Sequence, residues 1–304
     1  MTAISESRAP SPMQPQAAFT LPSGKRVAVW IGLHVEHWSL KPPPGSFVVK
    51  GIHGNWGDHF PDYRTHSFHE YGNRVGIFRI FDVTERLGLP VSMIVNADAI
   101  SRYPAVIEEA SRRGADFILQ GRLANRMITS AMTEADERSE IEQSIAAYRK
   151  AFGRSPIGWM SPKAGESPRT LRLLATAGIE FVLDWPNDDT PHFHATQPPI
   201  LSIPYQWEMD DLDLLWSHNI NARKYPRIIF SAYNGLVNAR SASARVFGLH
   251  VHPWILGQPA RIRHLDAALA AIRESPDAQF LTVTEIAALS RDQLARSAPM
   301  PLPS

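Results

Sequence analysis

Cysteine is absent from the 304-residue chain. Its absence excludes disulfide bonds, thiolate metal sites and a cysteine nucleophile, and it is compatible with a reducing compartment. The chain also lacks an excess of either charge, because 31 Lys and Arg stand against 30 Asp and Glu for a formal net charge of +1. No basic stripe or acidic block offers a surface for nucleic acid or an anionic membrane. We therefore expect a small-molecule substrate as the partner.

Long apolar runs are lacking as well. No window is long and apolar enough to cross a bilayer, and residues 1–22 lack the apolar core of a secretion signal, so we expect a cytoplasmic protein. Residues 1–22 and 295–304 are rich in proline and small residues, which predicts disordered tails. We interpret residues 23–294 as a single domain.

Strand-forming residues run from Val27 to Leu33 and stop at the polar sequence His34-Val35-Glu36-His37. This pattern predicts a buried first strand that carries functional side chains to an open edge of a sheet. Helical and strand-like segments alternate from residue 74 onward, which predicts an α/β barrel with its chemistry at the carboxyl ends of the strands. We expect the intervening segment 41–70, with His53, His59, His66 and His69, to be a lid loop over the site.

Polar residues follow nearly every predicted strand. Core packing alone explains such a pattern poorly, although each residue taken singly has an ordinary structural interpretation. Of His250 and His252, which flank Val251, we expect only one to face the site. The polar residues at these ends are Glu36 and His37, Asn96, Gln120 and Asn125, Ser161 and Lys163, Asp184, Asp188 and Asp189, Glu208, Asp210 and Asp211, and His250 and His252.

Several motifs together resemble the polysaccharide deacetylase superfamily, and within it the branch of deacetylase-like allantoinases and cyclic imide hydrolases. The resemblance covers about residues 26–290, and it implies a single-domain, deformed (β/α) barrel of about seven strands that hydrolyses an amide-type C–N bond. By analogy with this branch we expect a homo-oligomer. The motifs are Tyr71-Gly72-Asn73-Arg74-Val75-Gly76, Gly158-Trp159, Ser167-Pro168-Arg169-Thr170, Asp184 with Asp188-Asp189-Thr190-Pro191, Ser202-Ile203-Pro204-Tyr205, and residues 249–259.

The chain departs from the metal-dependent members at their metal ligands. Those members end the first strand in two adjacent acids, where this chain has Glu36-His37. They also carry a His-x-x-x-His motif, and this chain has Gln120 and Ala124 in place of its two histidines. Zinc sites usually take three imidazole, thiolate or carboxylate ligands from the protein. We therefore expect no metal and no other cofactor, with zinc as the alternative.

The resemblance places Glu36 at the position of the general base and His252 at that of the late histidine, which acts as the acid or orients it. His37 is assigned to the catalytic group as an orienting residue. The oxyanion then needs fixed donors, for which Gln120, Asn125 and Lys163 are candidates. Three further residues are assigned to substrate binding: Arg74, which a salt bridge explains equally well, Trp159, which core packing also explains, and Asp184.

Two rival functions remain open at the level of sequence. The first is a metal-dependent deacetylase or deformylase with an unusual site built from His37, Gln120 or Asn125, and a histidine such as His252 or His59. The second is a binding protein that kept the barrel and lost catalysis.

Overall fold

The computed structural model describes residues 18–41, 43 and 61–297. Their strands form one sheet in the order β6-β7-β5-β4-β3-β2-β1-β8, with β9 added beside the first half of β1. Every pair is parallel except the hairpin-like pair of β6 and β7, so the sheet is mixed, and it curls into a half-barrel. The strands are β1 Val27–Val35, β2 Ser92–Val95, β3 Asp116–Leu119, β4 Gly158–Trp159, β5 Phe181–Val182, β6 His192–His194, β7 Ile200–Ser202, β8 Arg245–Val251 and β9 Ala278–Phe280.

The helices lie between the strands. Helix α5 begins as its sequence predicts, because the Thr133 side chain accepts a hydrogen bond from the Asp136 N–H. Helix α2 ends where Gly88 adopts a left-handed conformation with φ of 65°. The α-helices are α1 Tyr63–Tyr71, α2 Ile77–Leu87, α3 Ala97–Arg102, α4 Pro104–Arg112, α5 Glu134–Phe152, α6 Thr170–Thr176, α7 Tyr225–Val237, α8 Ile262–Arg273 and α9 Val283–Ser297.

Alternate residues of the central strands enter two different hydrophobic clusters. Val29 and Ile31 of β1 pack into the cluster that includes residues of helices α2 to α8, whereas Ala28 and Trp30 pack into a second cluster inside the half-barrel, which also includes residues of α9. This split follows from the two-residue repeat of a strand. Both faces are therefore buried, which explains why β1 is apolar along its whole length until His34.

The inner face changes from apolar to polar toward the carboxyl ends of the strands. On β1, Ala28 and Trp30 share their face with His34 and with Glu36, which follows the strand. The same alternation brings Gln120 onto the inner face after Ile118 of β3. Because parallel strands end at one edge, the polar side chains collect above a sealed apolar floor.

The glycines of the Tyr71–Gly76 motif have a packing role. A short π-helix, Gly72–Gly76, connects α1 to α2 against the turn after β8. A Cβ atom added to Gly72 would collide with the backbone of Trp254, and one added to Gly76 would collide with the carbonyl of Pro253. These glycines allow the two backbones to approach closely.

The predicted fold class is confirmed, with nine strands among the described residues where about seven are predicted. Helices α3 and α9 and strand β6 are not predicted from the sequence. Helix α9 is hidden because its capping pair looks like the end of a strand: the Thr282 hydroxyl accepts from the Glu285 N–H, and the Glu285 carboxylate accepts from the Thr282 N–H.

The boundaries of the predicted tails and lid need correction. Phe19 and Leu21, predicted to be in the N-terminal tail, are buried in the inner cluster, and α9 extends into the predicted C-terminal tail as far as Ser297. Part of the predicted lid loop is helix α1, which carries His66 and His69. Positions 42 and 44–60, with His53 and His59, lie outside the described residues. Within the described ranges, no helix combines the length and the apolar character that spanning a membrane requires.

Candidate active site

Glu36 follows β1 and is held from several directions. Its side chain is 4% exposed. Oε2 accepts a hydrogen bond from Trp38 Nε1 at 2.9 Å, and Oε1 accepts one from Gln120 Nε2 at 3.0 Å. His34 Nδ1 lies 3.5 Å from Oε1, and Asn73 Nδ2 donates to the backbone carbonyl of Glu36 at 2.8 Å. The carboxylate therefore has a fixed position and orientation at the top of the sheet.

His252 follows β8 and is held by a buried carboxylate. Its Nδ1 lies 2.7 Å from Asp211 Oδ1, and its backbone N–H donates to both carboxylate oxygens of Asp211. His252 Nε2 lies 4.0 Å from Glu36 Oε2. An imidazole oriented by a carboxylate thus faces Glu36 across a narrow gap, an arrangement suited to proton transfer on both sides of a bound molecule.

His34 and His250 extend this group toward the barrel floor. His34 Nε2 lies 2.8 Å from His250 Nδ1, and the ring of His34 stacks on that of His252 with centroids 4.2 Å apart and an interplanar angle of 13°. The expectation that only one of His250 and His252 faces the site is wrong. The two residues are two positions apart in an extended segment, so both face inward.

A cavity of about 260 Å³ opens beside these groups. Its polar lining includes His34, Gln120, Lys163, Asp210, Asp213 and His252, and its aromatic lining is Tyr205, Trp207 and Trp216. Pockets with apolar walls and a few convergent polar groups are the usual sites of small-molecule binding. His252, which faces Glu36, therefore borders a cavity of the size that a small substrate needs.

Lys163 brings a cation to this cavity through an unusual backbone conformation. Lys163 has φ of 57° and Ala164 has φ of 49°, both in the left-handed region that residues other than glycine seldom adopt. Lys163 Nζ lies 5.2 Å from the centre of the Trp38 ring. Such strained positions concentrate at functional sites, where the surrounding structure holds them in place.

The surroundings shift the pKa values of Glu36 and Asp211 in opposite directions. Burial alone would raise the pKa of Glu36, but the contact with His34 and the charge of Lys163 outweigh burial and hold that pKa well below its usual value. Burial raises the pKa of Asp211 to about 8, although the N–H of His252 opposes the shift. Burial lowers the pKa of His252. Near neutral pH Glu36 is therefore ionised, while Asp211 keeps a proton that it shares with His252.

The residues at the positions of the family's metal ligands do not form a metal site. The Gln120 amide donates to Glu36, and Ala124 offers no ligand atom. His37 lies beside Tyr103 and Glu70, with its Nδ1 3.5 Å from the Tyr103 hydroxyl. His37 and Gln120 thus face different partners and do not converge on one ion.

A second set, His34, Glu36 and His252, has ligand atoms within 4.8 Å of one another. An ion would lie about 2.0–2.1 Å from each imidazole nitrogen and in the plane of each ring. The two rings are nearly parallel and stacked, and stacked rings are separated by a van der Waals contact of about 3.5 Å. One ion cannot lie in both planes, so this set does not fit zinc in the observed rotamers.

The third set consists of Asp210, Asp211 and His252. The distance of 2.7 Å between His252 Nδ1 and Asp211 Oδ1 is that of a hydrogen bond, with a proton between the two atoms. His252 Nδ1 also lies 3.4 Å from Asp210 Oδ1. These contacts describe a hydrogen-bonded imidazole–carboxyl pair, and in this arrangement the set does not fit a metal ion.

The structure brings Glu36, His252, Gln120 and Lys163 together and places the other predicted residues elsewhere. Arg74 is exposed on the π-helix, where its role in substrate binding stays a prediction, and its neighbour Asn73 contacts Glu36. Asn125 bonds the backbone of Ser39 with both ends of its amide, which engages Oδ1 and one of the two N–H donors of Nδ2.

Trp159 and Asp184 support the site from behind. Trp159 is fully buried and donates to the Ser161 hydroxyl. Asp184 accepts the Ser161 N–H at 2.7 Å and lies at the base of the segment that carries Lys163. Neither residue is among those that line this cavity, so the predicted contact with substrate stays a prediction for both.

No role is predicted from the sequence for His34 or Asp211, two residues of the central group. His34 is part of the strand sequence, and its two-residue spacing from Glu36 is the signal that it shares the same face. Asp211 lies in an irregular segment before the short π-helix Leu212–Ser217, where no periodicity marks its direction. The contacts of His34 with Glu36 and of Asp211 with His252 become apparent only in the folded chain, where β1 and β8 pair in register.

Asp184 also forms a buried pair with Glu166. Burial raises the pKa of Asp184 to about 6, and burial together with the charge of Asp184 raises the pKa of Glu166 to about 10. Trp185 Nε1 donates to both oxygens of Glu166. At neutral pH the pair therefore retains a proton on Glu166 that the same carboxyl would lose in the unfolded chain.

Glu166→Gln is expected to weaken the pH dependence of stability. Because the folded-state pKa values are raised, the stabilising contribution is complete below about pH 4 and is lost as the pH rises toward 10. The variant removes one titrating group, so its melting temperature should fall less than that of the wild type between pH 6 and 9. The exposed Glu142→Gln variant is the control, and parallel melting profiles for Glu166→Gln and the wild type would contradict the expectation.

Comparisons with known proteins agree with this fold. Residues 69–182 match the family model "Polysaccharide deacetylase". A curated protein of Schizosaccharomyces pombe, described as a "putative polysaccharide deacetylase", is 23% identical over 240 residues, which cover 73% of this chain and 74% of that protein. The chain is thus similar to polysaccharide deacetylases over these residues.

Two solved structures are similar over nearly their whole length. A "putative polysaccharide deacetylase" from Mycobacterium smegmatis has a TM-score of 0.79 and 22% identity, covering 96% of this chain and 98% of that chain. The structure of PuuE allantoinase has a TM-score of 0.77 and 20% identity, covering 95% of this chain and 96% of that chain. At this level of identity, both likenesses show the fold.

Proposed function

We propose that this chain, with the fold of the polysaccharide deacetylase superfamily, hydrolyses an amide-type C–N bond in a small cyclic substrate such as an imide or ureide, without a metal. The observation that carries the proposal is the placement of ionised Glu36 opposite His252 at 4.0 Å, beside a cavity of small-molecule size. The likeness to a structure named as an allantoinase supports a cyclic substrate.

Glu36 acts on the attacking water. Its carboxylate is ionised near neutral pH and fixed by Trp38 and Gln120, so it can accept a proton from a water that attacks the carbonyl carbon. The lowered pKa makes Glu36 a weaker base than a carboxylate whose pKa is raised by burial. A positioned, desolvated carboxylate offsets this weakness because water is activated only as the new C–O bond forms.

Lys163 is the donor for the developing oxyanion. It is the cation among the described residues that line the cavity, and its backbone strain shows that the surrounding structure fixes its position. A fixed charge in a site from which water is largely excluded stabilises a developing negative charge more than a solvated one does.

His252 and Asp211 protonate the leaving nitrogen. When Asp211 is protonated, its carboxyl O–H donates to His252 Nδ1. The neutral imidazole then carries its single proton on Nε2 and can donate it to the leaving nitrogen. Transfer from Nε2 is balanced by transfer of the Asp211 proton to Nδ1. The C–N bond breaks, Glu36 later releases its proton to solvent, and Asp211 regains one. An imide helps, because its nitrogen leaves more readily than that of a simple amide.

A hydrolysis screen over cyclic imides, ureides, hydantoins and N-acetyl sugars, with and without a chelator, tests the proposal. Turnover of a cyclic substrate that the chelator leaves unchanged, with no stoichiometric metal in the purified protein, is the expected result. Metal-dependent deacetylation is the second candidate, because the ligand atoms of His34, Glu36 and His252 lie within 4.8 Å and would converge on one ion if one of the two stacked rings changed rotamer. Stoichiometric zinc with chelator-sensitive release of acetate would overturn the first proposal, and binding without turnover would favour a non-catalytic role.

A further inference from the structure

The Gln120 side chain has one end engaged and one end without a partner. Its Nε2 donates to Glu36 Oε1 at 3.0 Å, whereas its Oε1 is buried and has no hydrogen-bond partner. The orientation of the amide follows from charge: the opposite flip would place Oε1 against the ionised carboxylate of Glu36. The residue as a whole is 2% exposed and lines the cavity.

An unpaired buried carbonyl has a cost that a bound ligand removes. Buried polar groups are almost always hydrogen-bonded, and an orphaned acceptor at a cavity wall marks a place where a donor binds. Carbonyl oxygens of an amide accept hydrogen bonds and donate none. The group that fits Gln120 Oε1 is therefore an N–H or O–H donor of the bound molecule.

Lys163, another polar residue of the cavity wall, offers a hydrogen-bond donor where Gln120 Oε1 offers an acceptor. The Lys163 ammonium also lines the cavity, and it donates hydrogen bonds and accepts none. A wall that offers the Gln120 carbonyl as an acceptor and the Lys163 ammonium as a donor is complementary to a molecule that carries N–H and C=O on one edge. Amides held cis within a small ring present both groups on the same edge, whereas open-chain trans amides present them on opposite edges.

We propose that Gln120 Oε1 accepts the N–H of the scissile cyclic amide, so that the enzyme is specific for substrates whose ring nitrogen is unsubstituted. This inference rests on the proposed function and adds to it a specificity-determining residue and a restriction on the substrate. The bond from Glu36 fixes Gln120, so one side chain orients both the base and the nitrogen that leaves.

The test compares an unsubstituted cyclic imide with its N-methyl derivative, which differs by one methyl group. For the wild type we expect kcat/KM for the N–H compound to exceed that for the N-methyl compound by at least about tenfold, since the methylated nitrogen leaves Gln120 Oε1 unpaired. For Gln120→Met we expect both rates to fall, because Glu36 loses a donor, and the ratio of the two rates to approach one. The ratio distinguishes recognition of the N–H from a merely structural role, which would lower both rates equally.

Gln206→Met is the matched control. The Gln206 amide donates to the Val246 carbonyl and accepts the Gly248 N–H, and the residue does not line the cavity. Its variant should keep the wild-type ratio of the two rates.

Binding of the two compounds, measured by titration calorimetry, separates this inference from the proposed reaction. If neither compound is hydrolysed but the N–H compound alone binds, the proposed reaction falls and the recognition by Gln120 stands. Equal turnover of both compounds by the wild type overturns the recognition and leaves the reaction intact. Absence of both binding and turnover overturns the recognition as well.

Discussion

Glu36→Gln is expected to lower kcat by at least about 10³-fold while the protein remains folded. The amide has the size of the carboxylate and can still accept hydrogen bonds from Trp38 Nε1 and Gln120 Nε2. It cannot take a proton from water, and positioned general bases contribute about 10²–10⁴-fold to a rate. The buried His34 and His252 lose an ionic neighbour, but their lowered pKa values keep both rings neutral near pH 7. The fold therefore has no unpaired buried charge to accommodate.

Steady-state kinetics on a hydrolysed cyclic substrate, with melting temperature as the check of folding, measure this effect. Because the reaction is affected and the cavity is not, kcat should fall far more than KM changes. A Glu36→Gln variant that retains hydrolysis within about tenfold of the wild type would remove Glu36 as the base and leave the His252–Asp211 pair to activate water.

Glu70→Gln is the matched control, and it also tests His37. Glu70 accepts a hydrogen bond from the Tyr103 hydroxyl and lies 4.0 Å from His37 Nδ1, away from the contacts of Glu36. If His37 only packs there, the control retains wild-type kcat. A loss comparable to that of Glu36→Gln would restore His37 to the catalytic group to which the sequence analysis assigned it.

The difference between His37 and Glu36 shows how far the sequence determines the site. Both residues follow β1, and the motif resemblance gives them equal weight. Direction separates them: alternation along the extended chain places Glu36 on the inner face with His34 and turns His37 toward Tyr103. A strand predicted one residue longer or shorter reverses this assignment, so the residue types were predictable and their partners were not.

The directions of the Arg74 and Asp211 side chains were not predictable for a related reason, because both residues lie in or beside irregular helical segments. Arg74 belongs to a π-helix, whose extra residue per turn rotates side chains away from the directions of an α-helix. Asp211 lies just before another π-helix, and its contact with His252 spans 41 positions of the chain. The strands, by contrast, were predictable because apolar runs of this length are buried wherever they lie.

Asp211→Asn is expected to lower kcat by about 10²–10³-fold and to remove the alkaline fall in rate. The raised pKa of Asp211, about 8, means that the carboxyl holds its proton below that pH and loses it above. If this proton supplies the leaving nitrogen through His252, wild-type kcat should fall as the pH rises through about 8. Asparagine can orient the imidazole through Nδ1, but it has no proton to transfer, and its profile should be flat in that range.

The measurement is kcat against pH from 6 to 10 for the wild type, for Asp211→Asn and for Asp213→Asn. Asp213 lines the cavity but is not among the described partners of His252, so the control variant should keep the alkaline fall near pH 8. An unchanged alkaline fall in Asp211→Asn would place the titrating group elsewhere and leave Asp211 with an orienting role only. Because Asp211 is fully buried and accepts the His252 N–H with both oxygens, melting curves must show that the variant is folded. A folded variant with lowered kcat and no alkaline fall would identify the Asp211 proton as the one delivered to nitrogen.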